Sequence, residues 1–75
     1  MTRLTMRRYV IVIENAGGNY SAYSPDLPGC VATGATPEET KANMREAIDL
    51  HLRGMAKDHT PIPEPSALAE VVEVG

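Results

Sequence analysis

The sequence predicts an α+β fold in the order β-β-β-α-β, and three observations carry that expectation. Tyr9-Val10-Ile11-Val12-Ile13 is an unbroken aromatic and β-branched run, too short for a buried helix and rich in strand formers. Thr36-Pro37-Glu38-Glu39 carries the signals that open a helix. Residues 69–74 alternate valines with Glu70 and Glu73, the pattern of a further strand.

Each element follows from local chemistry. The first run is apolar on both faces, which predicts a central strand. Asn15-Ala16-Gly17-Gly18 then offers two glycines free to take positive φ, a hairpin connection to a second strand over residues 19–24. Pro25-Asp26-Leu27-Pro28-Gly29 breaks that strand, because two prolines remove two backbone donors and fix φ. Its plain reading is a rigid corner before a short third strand at residues 30–35. The sharper reading holds Asp26 and Leu27 out on a stiff backbone as a recognition point. In the helix, expected over residues 37–58, Thr36 caps the free amides and Glu39 completes a capping box. Met44, Ala47, Ile48, His51, Leu52 and Met55 form its apolar stripe. Thr60-Pro61-Ile62-Pro63-Glu64-Pro65 can be neither helix nor central strand and is expected to be an extended strap.

Chain direction suggests the topology. Hairpins send the first three strands up, down and up; the helix returns, so the last strand runs parallel to the first. Placing it beside strand one gives the sheet order 3-2-1-4 with one helix on one face, joined by a right-handed crossover. One face of the sheet then lacks a cover, and edges stay open. Both are features of an interaction module.

The totals narrow the function. A chain of 75 residues is one domain, with residues 1–6 expected to be a disordered lead. Such a domain buries only about 60% of its unfolded surface, which favours help from a partner chain. Cys30 is the single cysteine, and one thiol with His51 and His59 lacks the paired spacing of a zinc site, so no disulfide and no metal or other cofactor is expected. Seven basic residues against ten acidic ones, net −3, argue against broad nucleic-acid binding. No run is long enough for a signal-peptide core or a membrane span, and with the lone cysteine this points to the cytoplasm.

The strand Tyr9 to Ile13, the Gly-Gly hairpin, Tyr20-Ser21-Ala22-Tyr23-Ser24-Pro25-Asp26-Leu27-Pro28-Gly29-Cys30, then Gly34-Ala35-Thr36-Pro37-Glu38-Glu39 and a helix with Arg45-Glu46-Ala47-Ile48 resemble the HicB-like antitoxins. The likeness extends over residues 8–66. It implies a partial ribonuclease H-like fold, and neutralisation of a small basic ribonuclease toxin (HicA) by covering it. It also implies association into homodimers or larger oligomers. Many members add a helix-turn-helix or ribbon-helix-helix segment; the sequence ends at Gly75 without one, so DNA binding is not expected. Ala35 stands where an acidic residue is common, and Thr40-Lys41 replaces a more apolar pair.

The expected toxin contacts are Tyr23, Asp26 and Leu27 at the corner, aided by Glu38 and Glu39 at the helix start. The expected oligomer interface is Val71, Val72 and Val74. Against this stands an enzyme reading, because the fold kinship is to a two-metal nuclease. That chemistry needs converging carboxylates, for which Glu14, Glu46 and Glu73 are the candidates, yet the middle of strand one is wholly aliphatic. No catalytic activity is therefore expected. His51 and His59 read as packed or capping residues, and Cys30 as a small buried hydrophobe. Tyr20 and Tyr23 lack the flanking basic residues of a base-stacking surface, and Arg7 with Arg8 is too little for a patch. A second function, a stand-alone oligomerisation or small-ligand module of the same fold, remains open.

Overall fold

A computed structural model describes residues 7–75; the expected disordered lead falls outside them. Strands β1 (Val12–Asn15), β2 (Tyr20–Ser24) and β3 (Leu27–Gly34) form one antiparallel sheet in the order β1-β2-β3, and helix α1 (Pro37–Lys57) packs on one face. The α+β class and the single covering helix are as the sequence predicts.

Local chemistry accounts for the joints. In the β1–β2 hairpin the Ala16 amide donates to the Asn19 carbonyl at 2.8 Å. The Asn15 side chain accepts from the Gly17 amide at 2.9 Å. Gly17 and Gly18 take φ of 75° and 111°, which L side chains resist. At the helix start Thr36 is extended (φ −133°, ψ 161°), and its hydroxyl accepts from the Glu39 amide at 3.0 Å. The Glu39 carboxylate reaches back to the Ala35 amide at 2.7 Å, closing a capping box one residue wider than the usual form. Thr40 is fully buried, and its hydroxyl is satisfied by the Thr36 carbonyl at 2.7 Å. Its backbone lies so near Gly34 that a Cβ there would sit 2.6 Å from Thr40 Oγ1 and 2.7 Å from Thr40 N. At the other end His59 takes φ 57°, and amides of His59 and Thr60 donate to the Ala56 and Met55 carbonyls at 3.2 and 2.8 Å. That pair is a Schellman closure with histidine in the place glycine usually holds.

The core lies between the helix and the inner face of the sheet. Ala22, Leu27, Cys30 and Met44 are buried, with Tyr9, Ile11, Ile13, Ala32, Ala47, Ile48 and Leu52 packed around them. The predicted helical stripe faces the core through Met44, which is fully buried, and through the partly buried Ala47, Ile48 and Leu52.

Three expectations need correction. Leu27 is not held out on a corner. Ser24 pairs with Leu27 across a turn of two residues, Pro25 and Asp26, while the next pair is Tyr23 with Val31, so Pro28, Gly29 and Cys30 bulge from β3. The bulge drives Leu27 into the core. The first strand is an edge rather than a centre: Val12 pairs with Tyr23, so Val10 stands opposite Pro25, which has no N–H and ends the ladder. Finally, residues 69–74 form no strand in this chain: the segment just before them, Ser66 and Ala67, is fastened at the β2–β3 turn rather than along β1.

Candidate partner-binding surface

Pleating assigns the two faces of the sheet. Ile13, Ala22 and Ala32 lie opposite one another and face the helix; Val12, Tyr23 and Val31 are the next row and face away from it. That outer row crosses all three strands. Tyr23 is 44% exposed and Val31 63%. An aromatic flanked by two valines in cross-strand register is a continuous apolar strip on the face of the sheet that no described element covers. Sequence reasoning singled out Tyr23 but missed Val31. Its place beside Tyr23 depends on the bulge, which no local pattern announces.

Asp26 is spent within the chain. Its carboxylate accepts from the Ser66 amide at 3.0 Å, the Ser66 hydroxyl at 2.8 Å and the Ala67 amide at 3.1 Å. Donation by the Ser66 and Ala67 amides, then by the Ser66 hydroxyl, holds this carboxyl below its ordinary value. The strap has a second anchor, the Tyr9 hydroxyl donating to the Pro63 carbonyl at 2.5 Å. Burial pushes the Tyr9 phenol upward.

Of the other predicted contacts, Leu27 is 1% exposed and offers nothing to a partner without opening the core. Glu38 and Glu39 are exposed in the first turn of α1, with Glu39 engaged by Ala35. Val71, Val72 and Val74 project into solvent on the tail. A groove between α1 and the residues that lead into β1 is lined by Tyr9, Ile48 and Leu52, and carries Arg7 and Arg45 with Glu46 and Asp49.

The residues of the enzyme reading do not converge. Glu14 is exposed in β1, Glu46 lies on the exposed side of α1 and Glu73 is on the tail. Among the described residues no three His, Cys, Asp or Glu side chains gather as metal ligands. Cys30 is buried, and burial raises its thiol pKa, which disfavours the reactive thiolate. No described helix is long and apolar enough to cross a membrane.

These features can be set beside known proteins. A 14.9 kDa protein from the rep–hol intergenic region of Haemophilus phage HP1 is 34% identical over 64 residues. That match takes in 85% of this chain but 48% of the phage protein, so the chain spans about half its length. UPF0150 proteins of Synechocystis and Thermoplasma acidophilum are 31% and 34% identical over 67 and 62 residues. They are covered to 85% and 90% of their lengths by 88% and 83% of this chain. Among solved structures, a chain of the HicA3 and HicB3 toxin-antitoxin complex superposes with a TM-score of 0.69 at 29% identity. The superposition covers 79% of this chain and 69% of that one. The profile of the HicB-like antitoxins of bacterial toxin-antitoxin systems matches residues 9–74, nearly the whole fold described above. The chain is therefore a member of the HicB-like antitoxin family, a class of binding proteins rather than enzymes.

Proposed function

We propose that this protein neutralises a small basic HicA-like ribonuclease toxin by protein–protein contact in the cytoplasm, with no chemistry of its own. The observation that carries the reading is the strip Val12–Tyr23–Val31 on the helix-free face, in a chain that superposes on part of a toxin-antitoxin complex. An aromatic at the centre of an apolar strip is the usual anchor of a protein interface. Net charge −3 supplies attraction to a basic partner, with Glu38 and Glu39 as exposed acids at the helix start. In this reading Tyr23, Glu38 and Glu39 touch the toxin, whereas Asp26 contributes by holding the strap. The protein acts as a homodimer or higher oligomer, with Val71, Val72 and Val74 in the contact between copies. The ribonuclease H-like order 3-2-1-4 belongs to the same reading, since it needs a strand from residues 69–74 beside β1.

The test is titration calorimetry against the product of the adjacent gene, expressed with its catalytic residue disabled, together with rescue of cells making the active toxin. Saturable heat and rescue support the proposal. No heat and no rescue, with self-association retained, favour the second reading, a stand-alone oligomerisation or small-ligand module of the same fold with no toxin partner. The fully exposed valines of the tail are the observation on that side.

A further inference from the structure

We propose that residues 68–75 are a donated strand: in a pair of chains, each tail adds to the free edge of the other chain's β1 and reaches into the groove between α1 and the residues that lead into that strand. This deepens the self-association proposed above and does not depend on toxin binding.

The donor is a strand without a sheet. Leu68, Val71, Val72 and Val74 are between 78% and 93% exposed, although the segment is β-branched and free of proline. Water does not hold a lone strand of this kind, and four large apolar side chains in solvent call for a cover.

The acceptor is a sheet edge with room beside it. Among the described residues β1 pairs only with β2, so the backbone groups on its other side are unpartnered by the described sheet. The groove between α1 and the residues that lead into β1 is lined by the apolar Tyr9, Ile48 and Leu52. Its charged residues are Arg7 and Arg45 with Glu46 and Asp49, and Asp49 is already paired with Arg53 at 3.0 Å. Positive charge is thereby left for Glu70 and Glu73, which interrupt the valines of the tail. Valines on an apolar floor and carboxylates beside arginines match donor to acceptor.

The strap decides whose edge is filled. Pro63 is tied to Tyr9 beside β1, but Ser66 and Ala67 are tied to Asp26, in the turn that joins β2 to β3. Between these anchors the chain crosses the end of the sheet away from the free edge of β1. The tail therefore departs on the wrong side for its own acceptor, and the molecule is drawn out to 49 Å against 27 and 24 Å in the other directions. Eight extended residues reach roughly 26 Å, enough to lie along a neighbour's strand. A two-fold axis lets both tails do so at once, closing both edges with the same contact.

The experiment is isotope-filtered NMR on a mixture of labelled and unlabelled full-length chains, with sedimentation of the same protein and of the Val71→Lys/Val72→Lys variant. Both valines are solvent-exposed in the single chain, so the variant keeps its fold. The expected result is a dimer whose Val71 and Val72 methyls give intermolecular NOEs to the Tyr9 ring and Leu52 of the other copy. The variant should dissociate at least about a hundredfold more readily. Tail NOEs confined to one chain would overturn the exchange, and so would a dimer indifferent to the two lysines; self-association would survive both. A monomer at about 100 μM would overturn self-association as well.

Discussion

Asp26 and Ser66, forty residues apart, are joined by two hydrogen bonds of 3.0 and 2.8 Å, and the Ala67 amide adds a third to the same carboxylate at 3.1 Å. A residue that looks in sequence like an exposed recognition point is instead the fastening of the C-terminal strap. The bonds favour the charged form, so the folded pKa lies below the ordinary 3.8. A depressed value means the latch is fully present above the unfolded pKa and is lost as pH falls through the folded one. The Ser66 and Ala67 amide shifts should therefore hold steady at neutral pH and move together below the ordinary carboxylate range. In Asp26→Asn they should differ already at neutral pH, and residues 61–67 should be cut faster by protease while β2 and α1 stay protected. Unchanged Ser66 and Ala67 shifts in Asp26→Asn would remove the latch from the account.

Leu27 acts on stability. It is nearly inaccessible and, among the described residues, belongs to a core of four buried apolar side chains. Leu27→Ala should cost about 2–5 kcal/mol, through lost transfer energy and an uncollapsed cavity. Leu27→Met, similar in volume, should cost less than about 1.5 kcal/mol. Urea midpoints for the two variants read this difference directly. A Leu27→Ala protein with an unshifted midpoint would contradict the packing of the β2–β3 bulge.

The helix start rests on two positions that should respond differently. Thr36→Ala removes the acceptor for the Glu39 amide and should cost about 1 kcal/mol. Gly34→Ala places a methyl against both the hydroxyl and the backbone of Thr40, and should cost about 1–3 kcal/mol. Because Thr40 N is nearly as close as its hydroxyl, adding Thr40→Ala should not rescue Gly34→Ala. Thermal melts of the two single variants and the double variant check this, and full rescue would show that the side chain alone sets the approach.

What could be read in the sequence divides along chain separation. The capping pattern at Thr36 and Glu39, the Asn15–Gly18 hairpin and the stripe through Met44 all concern residues within a few positions, where local geometry decides. Leu27 was illegible because Pro25-Asp26-Leu27-Pro28-Gly29 has the composition of a loose corner. Only the pairing of Ser24 with Leu27 makes it a strand start. The Asp26 latch was illegible for a similar reason: a carboxylate does not announce a partner forty residues on. Residues 69–74 have strand-forming composition, but β-propensity names no neighbour, and in the single chain none is supplied. At the proposed binding face, Tyr23 stood out by its type, whereas Val31 became its neighbour only through register.

The register of Tyr23 and Val31 leads to the prediction that separates binding from folding. Both side chains face away from the helix, so neither contributes to the core, and substitution should leave the thermal midpoint nearly unchanged. Tyr23 sits on the middle strand with Val12 on one side and Val31 on the other, the position from which a partner excludes water best. Tyr23→Ala should weaken toxin binding by about 2 kcal/mol, roughly 30-fold in Kd. Val31→Lys should do so by a comparable amount, since it places a buried positive charge opposite a basic partner. Added salt should slow association more than it speeds dissociation, because exposed acids such as Glu38 act on encounter. Association and dissociation rates measured by surface plasmon resonance against the catalytically disabled toxin, beside melts of the same variants, give both readouts. Full affinity in Tyr23→Ala and Val31→Lys proteins that remain folded would move the toxin contact off this face of the sheet.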